Sequence, residues 1–169
     1  MFILGIINKR QILYCNIRKN ADWINQLPQN HWILFSITNN EDKDLINDTI
    51  EICVDKKVGY TCAVGELSVY VEDCFDEEYA YRKTMNLRIN NNDLFNVSNV
   101  LMTTSHENFG EGFWFATTLA RNDPFVFDKV ICLDFTTRGV KGHIVNLIEK
   151  INHGWLPSDE IEEKPIYDT

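Results

Sequence analysis

The chain has 169 residues, of which 44% are hydrophobic and 24% are charged, and its 16 basic and 25 acidic side chains give a formal charge of −9. This length fits one domain of roughly 150 residues, and the hydrophobic content is too high for a disordered chain. No stretch approaches the roughly 20 apolar residues that a membrane helix needs. The negative charge disfavours nucleic acid, because binding phosphates requires a basic surface. We therefore expect no membrane and no nucleic-acid partner.

The cysteines predict a reducing compartment. All five stand alone, without a Cys-x-x-Cys pair: Cys15, Cys53, Cys62, Cys74 and Cys132. Such a pattern indicates packed thiols and neither a disulfide framework nor a zinc site. The apolar residues 1–7 precede the basic pair Lys9-Arg10, the reverse of the order in a secretory signal. We expect a cytoplasmic protein without metal or cofactor.

The elements are predicted in chain order from hydrophobic periodicity. Phe2–Ile7 and Gln11–Ile17 flank Asn8-Lys9-Arg10 and predict a hairpin, and a short helix is expected in Asn20–Leu27. Four short β-branched or aromatic runs then predict strands at Trp32–Ile37, Gly59–Val64, Asn99–Thr103 and Val130–Phe135. Helical periodicity follows each of them, at Glu41–Lys57, Glu66–Tyr81, Asn108–Arg121 and Val140–Ile151.

Four strand–helix repeats imply right-handed crossovers and a mostly parallel sheet with helices on both faces. The predicted fold is a three-layer, Rossmann-like α/β sandwich with the N-terminal hairpin at one edge of the sheet. Residues 1–155 are expected to form a single domain, with the hairpin in 1–19 and the repeated core in 31–152. Residues 156–169 carry prolines and acidic side chains, which oppose a regular helix, so an acidic extended tail is expected there.

Ligands of an open parallel sheet bind at the carboxyl ends of its strands. The loops predicted there supply the candidate ligand-binding residues Asn39, Glu66, Thr104, His106, Thr137 and Arg138. His106 titrates near neutral pH, so it is the best candidate for an acid, a base or an anion contact. Alternatively, Ser105 or Asn108 caps the next helix, Glu111 completes a capping box, and His106 is exposed in the first turn.

The last of these loops is the best candidate for holding phosphate or carboxylate. Thr136, Thr137 and Gly139 offer hydroxyl and backbone N–H groups, and Arg138 offers charge. The alternative is that Thr137 is an ordinary helix cap and Arg138 a solvated side chain. Neither a P-loop nor a dinucleotide-binding glycine motif is present.

No catalytic set is assembled in the sequence. The Gly-x-Ser-x-Gly motif is missing, and Cys62 and Cys132 fall in predicted buried strands, where burial suppresses thiol reactivity. The histidines do not have metal-binding spacing. The sequence leaves open whether the protein is an enzyme and favours the view that it is not.

The segment from Glu66 to Glu78 holds six acidic residues and no basic one. A solvated helix face needs no function, yet unpaired like charges repel each other, and this excess suggests a basic protein partner. The candidate partner-binding residues are Glu72, Asp73, Asp76 and Glu77.

Two stretches resemble a known family over about residues 59–121. Cys62-Ala63-Val64-Gly65 is followed by Asp73 and Asp76-Glu77, and Met102-Thr103-Thr104-Ser105-His106 is followed by Glu111 and Trp114-Phe115. Together they resemble a bacterial family of small α/β proteins, a domain of unknown function. The sequence departs from that pattern at Val64 and Ser105, where tryptophan is expected. The resemblance implies a strand–loop–helix unit at His106 and draws attention to Thr104, His106 and Glu111, without implying an activity.

The leading hypothesis is a small, non-enzymatic binding protein of the bacterial cytoplasm that meets a basic protein partner, as an immunity-type or accessory factor does. The alternative is an enzyme or sensor that binds a small anionic or nucleotide-like ligand at the carboxyl edge of the sheet through His106 and Arg138. A purely structural subunit is a third possibility.

Overall fold

A computed structural model describes residues 1–39, 43–84, 100–158 and 163–168. Its six-stranded sheet has the order β1-β2-β6-β3-β4-β5, and every neighbouring pair is parallel except the antiparallel pair β1–β2. The strands are β1 (Phe2–Ile7), β2 (Arg10–Asn16), β3 (Trp32–Thr38), β4 (Val58–Gly65), β5 (Met102–His106) and β6 (Lys129–Asp134). The helices are α1 (Lys43–Asp55), α2 (Ser68–Thr84), α3 (Phe109–Thr118) and α4 (Lys141–Asn152), with a short 3-10 helix at Ile24–Gln26.

The N-terminal hairpin is confirmed. Asn8 and Lys9 have φ angles of 49° and 69°. Positive φ at both central residues gives a tight turn whose twist matches that of the flanking strands. Strand β2 then pairs in parallel with β6, so the hairpin extends the sheet at the edge, as predicted.

The three layers are confirmed as well. Helices α1 and α2 pack on one face of the sheet through apolar side chains that include Ile50 and Phe75. Helices α3 and α4 cover the other face, where Phe113 and Ile144 are among the fully buried residues. Strand side chains alternate between the two cores, as the two-residue period of a strand requires.

The chain order places the carboxyl ends of five strands in one row. The chain runs outward through β3, β4 and β5, then crosses back with α3 to form β6 on the other side of β3. The register pairs Asn16 and Ile37 with Asp134, Thr38 with Gly65, and Val64 with His106. The loops that follow these strands therefore emerge along a single edge, the carboxyl edge.

The largest error in the predicted elements concerns β5. The strand was expected at 99–103, but it occupies Met102–His106. Its polar residues resemble a loop in sequence, whereas in the fold they lie on a half-exposed outer strand beside β4. Residues 85–99, which include the expected connection between α2 and β5, lie outside the described residues.

The remaining predicted elements are present with bounds that differ by a few residues. Among the described residues, no helix is long and apolar enough to cross a membrane. The expected tail falls partly on residues that the structure describes, and residues 163–168 contain neither helix nor strand.

Candidate functional site

The candidate ligand-binding residues lie along the whole carboxyl edge. Thr104 and His106 are on β5, Glu66 follows β4, Asn39 follows β3, and the pair Thr137 and Arg138 follows β6. The strand order separates β5 from β6 by three strand spacings, about 14 Å. A ligand as small as phosphate therefore cannot touch both His106 and Arg138.

His106 is not a loop residue, contrary to the expectation. It is the last residue of β5, and only 11% of its side chain is exposed, so it is not in the first turn of α3 either. Its Nε2 lies 3.2 Å from Thr104 Oγ1, and its ring centroid lies 5.1 Å from that of Phe115. Burial lowers the pKa of His106, against the opposing effects of Glu111 and Glu72. The ring is thus held as a mainly neutral, packed group.

The capping interpretation is confirmed in part. Asn108 is the N-cap of α3, and its side-chain oxygen accepts from Glu111 N at 3.1 Å. The Glu111 carboxylate instead lies near His106, with 3.8 Å between Oε1 and Nδ1. Gly112 permits this close packing, because a Cβ there would stand 2.5 Å from Val64 Cγ1 and 3.0 Å from His106 Cβ.

Asp134 organises the last loop, a role that the sequence reasoning missed. The residue is fully buried at the end of β6. Its Oδ1 accepts from Thr136 N at 2.8 Å and Thr136 Oγ1 at 2.7 Å, and its Oδ2 accepts from Tyr14 Oη at 2.5 Å and Val140 N at 3.0 Å. An aspartate two residues before a threonine is typical of an Asx-turn, and this was the available signal.

Thr137 does not cap α4, contrary to one of the alternatives. Thr137 and Arg138 are both exposed, and the N-cap residue of α4 is Val140, which makes no side-chain capping bond. The Arg138 guanidinium lies 5.7 Å from the ring centroid of Tyr167. Helix α4 therefore takes its capping groups from elsewhere.

The C-terminal residues 163–168 supply them. Asp168 Oδ2 accepts from Lys141 N at 3.1 Å, and Oδ1 accepts from Gly142 N at 2.9 Å. Earlier in the same segment, the backbone carbonyl of Glu163 accepts from Phe109 N, and the Glu163 carboxylate pairs with Lys150 Nζ at 2.7 Å. The Asp168 carboxylate, which was expected in an extended acidic tail, is thus bound at the N-terminus of α4, where the helix dipole favours negative charge.

His143 fastens the same segment to α4. This histidine is buried, and its Nδ1 accepts from Ile166 N at 3.3 Å, while its Nε2 is buried without a partner among the described residues. Burial lowers its pKa. The neutral ring is the form that accepts this bond.

The four candidate partner-binding residues of α2 fall into two groups. Glu72 accepts from Ser105 Oγ and Asp76 from Thr103 Oγ1, so these two carboxylates fasten α2 to the outer strand. Asp73 and Glu77 are exposed, and neither forms a hydrogen bond or ion pair with any other residue that the structure describes. Only the second pair is free to meet a partner.

A groove of about 430 Å³ runs between α1 and α2. Two tyrosine rings and three carboxylates contribute to its walls: Tyr70, Tyr81, Glu51, Glu77 and Glu78. We call it the α1–α2 groove.

Arg82 is a buried arginine beside the groove. Its guanidinium donates to Glu78, Asp55 and the Glu51 carbonyl, and this joins the C-terminal part of α2 to α1. The segment Glu66–Glu78 contains no basic residue, but Arg82, one helical turn after Glu78, donates to its carboxylate. It neutralises part of that charge and leaves Glu77 uncompensated.

In the described part of the chain, no group of three or more His, Cys, Asp or Glu side chains is placed to hold a metal ion. The four most buried cysteines are core residues, and burial raises the pKa of the Cys62 thiol to about 12.

Comparison with known protein families identifies the family of this chain. Residues 12–151 match the family described as a domain of unknown function (DUF7684). The chain belongs to this family. A search of the curated proteins found no match. The family match covers the region of resemblance, 59–121, and extends on both sides of it, from within β2 to the last turn of α4.

Proposed function

We propose that this DUF7684 protein is a binding protein for a basic protein segment, received by the α1–α2 groove. The observation that carries the proposal is the composition of the groove, in which two tyrosine rings stand among three carboxylates. Such walls suit a lysine or arginine side chain, whose aliphatic stem packs on an aromatic ring while its cation meets the carboxylates.

A cation already lies on one of these rings. Lys43 Nζ is 4.3 Å from the centroid of Tyr70. The Tyr70 hydroxyl also donates to Asn47 Oδ1 at 2.9 Å, which fixes the ring between the two helices. An arginine from a partner would find a second ring in Tyr81, whose side chain is exposed.

The free carboxylates support the same proposal. Glu77 lines the groove, and Asp73 lies about one helical turn before it on α2; neither side chain has a partner among the described residues. Long-range attraction to a protein of charge −9 would raise the rate of encounter with a basic partner. An accessory or immunity-type factor of the bacterial cytoplasm is the kind of protein we propose.

The proposal is tested with a fluorescent peptide of alternating lysine, arginine and glycine residues. Asp73→Asn combined with Glu77→Gln is expected to weaken binding about tenfold, and raised salt should weaken binding to the unaltered chain. The matched control is Asp128→Asn combined with Glu149→Gln, which removes the same charge from exposed positions outside the groove.

Tyr81→Ala separates the groove from charge alone, because it leaves the net charge unchanged and is expected to weaken binding several-fold. If the groove pair and the control pair of charge substitutions weaken peptide binding equally, and Tyr81→Ala has no effect, the peptide responds only to net charge. That result would overturn the proposal.

A further inference from the structure

A second cavity, of about 480 Å³, lies between β2 and the beginning of α4. Its polar lining comes from Tyr14, Asn16, Lys19, Asn20, Lys141 and Asp168. It shares no lining residue with the α1–α2 groove. We call it the β2–α4 cavity.

Two cations face this cavity. Lys19 Nζ donates to the Arg138 carbonyl at 2.9 Å, and Lys141 Nζ lies 4.2 Å from the ring centroid of Phe2. Within the described ranges, neither ammonium group has a carboxylate within ion-pair distance. Neither charge is neutralised by a described carboxylate, and each ammonium group keeps N–H donors for an anion.

A polar side chain of the cavity also lacks a partner. Asn16 is 7% exposed, and its Nδ2 donates to the Thr136 carbonyl at 2.7 Å. Its Oδ1 is buried and accepts no hydrogen bond from any described residue. A buried acceptor without a donor costs free energy, so a ligand that brings a donor here would be favoured.

The contacts of Asp168 show that the first turn of α4 binds a carboxylate. The two oxygens of its carboxylate each take one backbone N–H, from Lys141 and from Gly142. Glycine keeps this approach open, because a Cβ at position 142 would stand 3.2 Å from Asp168 Oδ1 and one at 139 would stand 3.0 Å from Oδ2. The helix N-terminus therefore presents paired donors to an oxyanion.

The Asp134 carboxylate lies at the same helix terminus, and its presence makes the Asp168 side chain easier to displace from Lys141 N and Gly142 N. Val140 N is bound to Asp134, while the next two N–H groups of the same helix are bound to Asp168. Two carboxylates at one helix terminus repel each other, and only Asp134 is buried with four donors. The Asp168 carboxylate has only these two N–H donors among the described residues, so its side chain can be displaced while Asp168 N stays bonded to the Gly139 carbonyl at 2.8 Å.

We infer that the β2–α4 cavity is a binding site for a small oxyanion, a carboxylate or phosphate group that also carries a hydrogen-bond donor, and that this ligand displaces Asp168. The oxyanion accepts from Lys141 N, Gly142 N and the ammonium groups of Lys19 and Lys141. The donor of the ligand meets Asn16 Oδ1. Asp168 acts as an internal competitor that lowers the apparent affinity.

The test uses glycolate, acetate and inorganic phosphate, with the backbone amide resonance of Gly142 as the readout. Asp168→Asn removes the competing charge and is expected to tighten binding of glycolate or phosphate about tenfold relative to the unaltered chain. In that background, Lys19→Ala combined with Lys141→Ala should weaken binding about tenfold. The matched control is Lys56→Ala combined with Lys83→Ala, which removes the same charge from residues that line neither cavity.

The three probes distinguish the ligand classes. Stronger binding of glycolate than of acetate indicates that the donor contact at Asn16 is used, and binding of phosphate alone identifies a phosphate site. The inference is overturned if none of the probes shifts the Gly142 amide in Asp168→Asn, or if the two lysine pairs reduce binding equally. Thermal unfolding of each variant confirms that it is folded.

Discussion

The Tyr14 hydroxyl donates to the Asp134 carboxylate at 2.5 Å, although the two residues are 120 positions apart in the chain. This bond joins β2 to β6 at their carboxyl ends. Burial raises the pKa of Tyr14, and the hydrogen bond to Asp134 and its negative charge raise it further. The same carboxylate accepts from the first turn of α4, so the pair connects the hairpin, the last strand and the last helix.

Asp134→Asn is expected to destabilise the fold by about 3 kcal/mol, because the amide places a donor against N–H and O–H groups that need an acceptor. Tyr14→Phe should cost about 1–2 kcal/mol. Urea unfolding measures both, with the exposed Asp128→Asn as a control. The double variant should cost less than the sum, and simple additivity would contradict the bond's importance.

Arg82→Met is expected to lower the free energy of unfolding by about 2 kcal/mol. The change leaves Glu78 and Asp55 without the guanidinium that joins α2 to α1. Asp55 is 62% exposed and regains water, so the cost stays below that of a fully buried pair. Lys83→Met, at the exposed neighbouring position, should change the urea midpoint little; a midpoint for Arg82→Met equal to that of this control would contradict the prediction.

Acid should weaken the attachment of residues 163–168. Burial holds the pKa of His143 below its ordinary value of 6.5, so as pH falls the unfolded state takes up the proton first. The contribution of the neutral ring is complete above about pH 6.5 and is lost as the pH falls through the window below it. The protection of the Ile166 amide, which donates to the ring, should fall over the same window when its hydrogen exchange is compared with the intrinsic rate at each pH.

His143→Gln tests the origin of that dependence, since glutamine offers an acceptor that does not titrate. Its unfolding free energy should vary less with pH below about 6.5 than that of the unaltered chain. Replacing the exposed His153 by glutamine is the control. If the two variants show the same pH dependence, the effect does not come from His143.

The thiols should react in two classes. Cys15, Cys53, Cys62 and Cys132 are buried, whereas Cys74 is partly exposed beside the α1–α2 groove. Burial raises the pKa of every one of these thiols, so even Cys74 should react more slowly with a chromogenic disulfide than a free thiol does. One group is expected to react in the folded protein and the other four on unfolding. Cys74→Ser should remove the first phase, and its persistence would contradict the assignment.

Periodicity was enough to predict the layers, because apolar stripes and β-branched runs are local properties of the chain. It failed at β5, where Thr104, Ser105 and His106 were predicted to form a loop. In the fold, Thr104 Oγ1 donates to the Thr61 carbonyl and Ser105 Oγ donates to Glu72, and only the assembled fold brings these two partners near. A polar outer strand cannot be recognised without its neighbours.

The candidate site was predicted less well, for a related reason. The carboxyl edge was correctly located, but residues chosen one loop at a time were spread over three strand spacings. The capping of α4 by Asp168 joins positions 26 and 27 residues apart, and no local pattern announces it. The last loop was expected to hold an anion through Thr137 and Arg138, whereas the Asp168 carboxylate is bound by Lys141 N and Gly142 N at the start of α4.

The pairing of β2 with β6 also sets an order of events during synthesis. The hairpin leaves the ribosome early, but the strand against which it lies is translated long after it, as the separation of Tyr14 from Asp134 shows. By contrast, β4 pairs with β3 and β5 pairs with β4, so each of these two strands has a parallel partner in the strand that immediately precedes it in the chain. Closing so long a loop is slow, so the hairpin should join the sheet last and expose its apolar face in the nascent chain until then.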